Sequence, residues 1–125
     1  GLAYPALVER IFKAVKSEFP GMEFNAHIHD TRNMGILNSY VALGSGADSI
    51  QAAVGGLGGC PFAPGATGNT SSEDLVYMLN HCGYDTGIDF DKLLDAARFA
   101  KEHIDGNFSG HQIHISPNPC VVTQE

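Results

Sequence analysis

A chain of 125 residues is one domain's worth of polypeptide, and 43% apolar with 17% charged residues is a globular composition, not a disordered one. Fourteen Asp and Glu against seven Lys and Arg give a net charge of −7, the opposite of the basic stripe with which a general nucleic-acid binder meets phosphates. No apolar run approaches the roughly 20 residues that span a bilayer, and three irregularly spaced cysteines fit neither a disulfide framework nor a zinc knuckle, so no membrane partner, reduced thiols and a cytoplasmic location are expected.

The chain opens on Gly-Leu-Ala-Tyr-Pro without an initiator Met, as expected of an excised piece or a processed product. Pro5 reads as the first residue of a helix, where its missing N–H costs nothing. Leu7, Val8, Ile11, Phe12, Val15 and Phe19 follow at 3.6-residue spacing as one apolar stripe, and Pro20-Gly21 ends it. Met22 to His29 alternates like a strand, with Met22, Phe24, Ala26 and Ile28 on one face and Glu23, Asn25, His27 and His29 on the other. After a loop from Asp30 to Gly35, a short helix runs to about Leu43 and stops at Gly44 and Gly46. Ala47 to Val54 reads as a second strand, and Gly55 to Gly68 as a long glycine-rich loop holding six of the fifteen glycines. Thr70-Ser71-Ser72-Glu73 fits a capping box for a helix whose core side is Leu75, Val76, Leu79 and Cys82 and whose stop is Gly83. Asp89 caps a last helix through Leu93, Leu94, Ala97 and Ile104, and residues 105–125, polar and with Pro117 and Pro119, read as an extended tail or linker.

Strands alternating with helices mean parallel βαβ units and an α/β fold. Two strands make a poor parallel sheet, because such sheets are covered on both faces and have more strands. The pattern therefore calls for further strands from outside this stretch.

The densest chemistry is His27-Ile28-His29-Asp30. Residues two apart on a strand share a face, with Cα atoms roughly 6.5–7 Å apart, so both imidazoles can meet one ion at the strand's C-terminal end, where α/β folds bind ligands. The plainer reading is two satisfied histidines, with Asp30 capping a loop turn instead of orienting a ligating ring. The glycine-rich loop lacks the Lys of a phosphate-binding P-loop, and Pro61 stands where a dinucleotide fingerprint needs Gly. It reads instead as a mobile lid carrying one thiol, Cys60, able to give or take a proton over a site, or else as a tight turn with a small residue packed in it. Asn69, where the loop meets the next helix, offers a hard amide oxygen suited to Mg²⁺ or Mn²⁺, or serves as a helix N-cap. Glu73 reads as the capping-box glutamate, and His81, His103, His111 and His114 as surface residues.

Together, His27-Ile28-His29-Asp30-Thr31, the run Gly55-Gly56-Leu57-Gly58-Gly59-Cys60-Pro61-Phe62-Ala63-Pro64-Gly65-Ala66-Thr67-Gly68-Asn69, and Glu73-Asp74-Leu75-Val76-Tyr77-Met78-Leu79 resemble the C-terminal part of the 3-hydroxy-3-methylglutaryl-CoA lyases, members of a wider group of TIM-barrel metal-dependent lyases and Claisen-type synthases. Thr86-Gly87-Ile88-Asp89 and the following helix agree, so the likeness covers about residues 1–104; the His-x-His element is group-wide, and the Gly-Gly-Leu-Gly-Gly-Cys-Pro loop is specific to the lyases. The resemblance implies the last two strands of a (β/α)8 barrel. It makes His27, His29 and Asn69 ligands of a divalent cation, with Mg²⁺ or Mn²⁺ favoured over Zn²⁺, and Cys60 an agent of proton transfer. It also implies an acyl-CoA substrate cleaved to acetyl-CoA and a keto acid. The family's remaining metal-binding Asp, its arginine and a catalytic Glu belong to an early part of the barrel that nothing in this chain matches. Arg32 and Asn33 differ from the residues many members carry there.

Two other functions suit parts of the pattern. A metal-dependent hydrolase of the amidohydrolase kind also carries a strand-borne His-x-His, but expects Zn²⁺, more strand-end histidines and a catalytic Asp, and leaves the Cys60 loop unexplained. A non-catalytic assembly module would bind metal weakly and turn nothing over. Either way, open strand edges and uncovered apolar faces lead us to expect association with the missing barrel half or with another copy, as a homo-oligomer.

Overall fold

The computed structural model describes residues 1–59, 65 and 67–115. In chain order it forms helix α1 (Pro5–Glu18), strand β1 (Asn25–His27), helix α2 (Gly35–Gly44), strand β2 (Ser49–Gln51), a 3₁₀ turn (Val54–Gly56), helix α3 (Ser72–His81), helix α4 (Phe90–His103) and a second 3₁₀ turn (Gln112–His114). The strands pair in parallel, Asn25 opposite Ser49, Ala26 opposite Ile50 and His27 opposite Gln51. This is the α/β arrangement that the alternation predicts.

Both strands are shorter than their hydrophobic patterns. The stretch before β1 is held from the side: Phe24 donates its N–H to Asp48 Oδ2 at 2.7 Å and accepts from Asp48 N at 2.8 Å. Past β2 the backbone turns away, because Gly55 and Gly56 take left-handed φ of 65° and 70°. That conformation is cheap for glycine and costly for other residues. The alternation itself holds: Ala26 is buried between two exposed neighbours, and Ile28 packs on the same core as Ala26. That core is small, comprising Val8, Ala26, Ala42 and Ala47 with Phe12, Val41 and Ile50 against it.

Among the described residues the remaining buried apolar ones are Leu75, Val76 and Leu79 on α3, Ala97 on α4, and Ile113. Several stripe residues stay open to solvent, among them Ile11, Phe19 and Ile104. Cys82, read as helix core from its spacing, is exposed at the C-terminal cap of α3, its Sγ 3.6 Å from Met78 Sδ. No helix among the described residues is long and apolar enough to cross a membrane.

The caps differ in part from expectation. Asp89 does cap α4, accepting from Lys92 N. The cap of α3 is Ser71, whose Oγ accepts from Asp74 N at 3.2 Å, instead of Thr70. Thr70 instead donates its hydroxyl to Ile28 O at 2.9 Å, and Glu73 turns inward to accept from Gly55 N at 3.0 Å. Residues 105–115, where the sequence suggests a tail, fold back over α3 and the first 3₁₀ turn: Gly110 N donates to Gly55 O, and Ile113 is buried.

Candidate functional site

The candidate site forms where a short segment wedges between the C-terminal ends of the two strands. Thr70 N donates to Ile28 O, and Asp30 N donates to Gly68 O, both at 3.1 Å. On the other side Ala53 N donates to Thr70 O at 2.9 Å, and Ser72 N to Ala53 O at 2.8 Å. These bonds place Asn69 directly opposite His29 in an antiparallel bridge. Gly68 is fitted so closely that a Cβ on it would fall 1.7 Å from Gly56 O. Glycine is therefore obligatory there through contact.

His27 and His29 lie side by side as the two-residue spacing predicts, ring centroids 5.2 Å apart and edge to face. Among the described residues, buried His29 Nδ1 has no hydrogen-bond partner, and neither has buried Asn69 Oδ1. Asn69 Nδ2 donates to Leu57 O at 3.0 Å, which fixes the amide's orientation and leaves the oxygen as the atom unspent. Buried polar atoms are nearly always paired, so two orphans on adjacent residues mark a place for something else. Two imidazoles and a hard amide oxygen fit part of the shell of a divalent cation. Among the described residues no group of three or more His, Cys, Asp or Glu is gathered for a metal.

A cavity of about 170 Å³ opens beside both rings, lined also by residues 1–3 and Asn38. A larger pocket of about 490 Å³ lies between β2, α3 and residues 84–88 and touches neither histidine. Its lining is mostly apolar, and the convergent chemistry is at the smaller one.

Asp30 accepts from Gly35 N at 2.6 Å and Asn33 N donates to Asp30 O, so this carboxylate shapes the loop after β1 and starts α2. Arg32 donates to Gly1 O at 2.6 Å, and Asn33 takes a left-handed φ of 55°. Cys60 lies outside the described residues. His81 and His103 stay on the surface, each with its ring nitrogen on a carbonyl one turn back. His111 keeps an exposed side chain, yet its backbone and Nδ1 are both taken by Asp74, at 2.7 and 3.0 Å. Glu73 and Asp74 are the residues that sequence reasoning undervalues. Adjacent carboxylates in a first helical turn read as dipole partners, and nothing local announces that both are buried against distant backbone.

The HMGL-like family model matches residues 1–100. The hydroxymethylglutaryl-CoA lyase of Bacillus subtilis is 42% identical over 102 residues, which are 82% of this chain and 34% of that protein. The (R)-citramalyl-CoA lyase of Chloroflexus aurantiacus is 43% identical over 97 residues, 78% of this chain and 31% of that one. An HMG-CoA lyase from A. baumannii, solved in complex with coenzyme A and 3-methylmalate, superposes with a TM-score of 0.80 at 38% identity, over 95% of this chain and 41% of that one. The chain thus spans about a third of the length of the curated relatives it matches. Its helices and paired strands are a partial TIM barrel, and the chain belongs to the HMGL-like family.

Proposed function

We propose that this chain supplies the His/Asn share of the active site of a divalent-metal-dependent lyase, acting on a 3-hydroxy-3-methylglutaryl-CoA-like thioester by retro-Claisen cleavage. The bridge that sets Asn69 beside His29, with Oδ1 and Nδ1 both unpartnered among the described residues, carries the reading. A hydroxy acid and coenzyme A bound to a relative support the substrate class, as does a relative named for citramalyl-CoA.

His27, His29 and Asn69 would hold the cation, and the amide oxygen favours Mg²⁺ or Mn²⁺ over Zn²⁺. When bound, such an ion polarises the substrate oxygens and lowers the pKa of the 3-hydroxyl. Loss of that proton breaks the adjacent C–C bond. One carbon becomes the ketone of a keto acid, and the electron pair passes into the enolate of acetyl-CoA, which must then gain a proton. The Cys60 thiol, on the loop that ends at Asn69, is our proposed donor. The remaining ligands and the base would come from the early part of the barrel, so that part, or another copy of the chain, is the proposed partner. Exposed Leu2, Ile11, Leu37 and Phe99 are apolar surface such a partner would cover.

The test is cleavage of 3-hydroxy-3-methylglutaryl-CoA with Mg²⁺, by the chain alone and mixed with a chain supplying the first six strands. The chain alone should be inactive and the mixture active, and His29→Ala, Asn69→Ala or Cys60→Ala should abolish turnover. Undiminished activity in His29→Ala would sink the metal assignment.

A further inference from the structure

The backbone around Asn69 is also held by residues beyond the stretch that the family model matches. Residues 106–112 lie beyond the 1–100 stretch that the family model matches. They cross over the turn that opens the glycine-rich loop. Gly110 N donates to Gly55 O at 3.0 Å, and Ser109 Oγ donates to Gly56 O at 3.3 Å. The Phe108 ring sits so close that a Cβ on Gly55 would meet it at 2.4 Å. From below, Glu73 Oε2 accepts the Gly55 N–H. The turn is therefore clamped on both sides.

The clamp reaches the site in one further step. Leu57, the next residue along, accepts the Asn69 amide N–H through its carbonyl. The two glycines before Leu57 have left-handed φ, and glycine has little intrinsic preference for one conformation, so the turn's position must be imposed from outside. Asp74 supplies the fixed point. Its carboxylate, 6% exposed, accepts from His111 N at 2.7 Å, His111 Nδ1 at 3.0 Å and Gln112 N at 2.8 Å. Hydrogen bonds to a buried carboxylate are the strong kind. A Cβ on Gly110 would lie 2.7 Å from Glu73 Oε1 and 2.8 Å from Ser71 Oγ, so a larger residue there must push those side chains aside.

We infer that residues 106–112 are a positioning strap, latched by Asp74, that holds the Gly55–Leu57 turn and thereby aims the Asn69 oxygen into the cation site. The inference rests on the proposed ligand role of Asn69. Asp74 and Gly110 are positioning residues, acting on the ligand through the turn.

The experiment uses the full 125-residue chain and two readouts. The first is hydrogen exchange at the Gly55 and Leu57 amides and at the Asn69 side-chain amide, followed by NMR. The second is Mn²⁺ alone as probe, followed by electron paramagnetic resonance, with the chain mixed with one supplying the first six strands. Asp74→Asn and Gly110→Ala should speed exchange at all three groups by about tenfold and weaken Mn²⁺ binding by about tenfold, the scale of losing a group that orients a ligand. Exchange in the β1–β2 ladder should not change. Ser109→Ala, which removes one long, part-buried hydrogen bond, should move both readouts the same way by less. Faster exchange at His111 and Gln112 with Leu57 and Asn69 unmoved would overturn the strap. Wild-type chain that binds no Mn²⁺ even when mixed with a chain supplying the first six strands would overturn the metal reading, while the exchange readout would still decide whether the strap holds the turn.

Discussion

The two halves of the molecule bury different things. Around α1, β1, α2 and β2 the buried apolar side chains Val8, Ala26, Ala42 and Ala47 are joined to one another by contact, and the buried polar ones, Asn38 and Ser39, are neutral groups that donate to backbone carbonyls. Around α3 the buried set includes two carboxylates, Glu73 and Asp74, which accept backbone N–H groups from residues 18 and 37–38 positions away. Apolar contact is non-directional and tolerates small shifts. A carboxylate shared among backbone donors fixes positions. The candidate site lies at the seam, with its histidines on the apolar half and its Asn69 on the half held by carboxylates.

The most severe test of this contrast is the seam itself. Gly68→Ala would drive a Cβ into Gly56 O, backbone against backbone, with no side chain free to yield. Overpacking of this kind costs about 3 kcal/mol or more, and urea unfolding should show it together with loss of Mn²⁺ binding. If Gly68→Ala proved nearly as stable as wild type, the wedged segment would not join the halves as described. Next in size is a matched pair, one variant in each half. Asp74→Ala leaves two backbone N–H groups without their acceptor, an expected cost of about 3 kcal/mol. Val8→Ala removes two methyl groups from the smaller core and should cost about 2 kcal/mol. The contrast sharpens if Asp74→Ala also loosens exchange at Leu57 while Val8→Ala leaves it alone. It breaks if the two variants loosen the same amides.

A smaller effect separates two adjacent residues. Ser71 caps α3 and Thr70 ties the wedge to Ile28. Ser71→Ala should cost about 1 kcal/mol and fray the first turn of α3, as removal of a capping oxygen does. Thr70→Val should leave that turn intact and instead release the hydroxyl bond to β1.

Much of this was legible from local pattern. Alternation from Phe24 to His29 placed the two imidazoles on one face, Pro5 and Asp89 announced their helices, and the parallel strand pair followed from helices between strands. The strand ends were not legible, because the Asp48 carboxylate that intercepts Phe24 lies 24 residues away. The inward turn of Glu73 was hidden for the same reason. A Thr-x-x-Glu spacing says capping box, but the Gly55 N–H that claims the carboxylate comes from the far side of the glycine-rich loop. The packing of residues 106–112 was illegible because it rests on glycines and backbone groups, which carry no hydrophobic period to read. Asn69 was legible as a candidate ligand, whereas the orientation of its amide depended on Leu57 O.

The gentlest probe is acid. Asp48 is held below the ordinary carboxylate pKa of 3.8, first by the Phe24 N–H and then by Lys16, whose ammonium lies 2.9 Å from Oδ2. Asp89 is lowered too, by the Lys92 side chain and then the Lys92 N–H. A carboxyl with a depressed folded-state pKa binds its proton more weakly folded than unfolded. Its stabilisation is therefore complete well above 3.8 and fades as pH falls through the folded value. The gap in urea midpoint between wild type and Asp48→Asn should stay constant above about pH 5 and narrow below about pH 3.8. Asp89→Asn should follow the same course with a smaller gap, for a geometric reason. Asp89 serves only the first turn of its own helix, whereas Asp48 joins α1, the approach to β1 and the approach to β2. Both groups are exposed, so both gaps should shrink in high salt to the extent that the lysines contribute. If Asp89→Asn opened the wider gap, the apolar half would owe less to the Asp48 clasp than the geometry indicates.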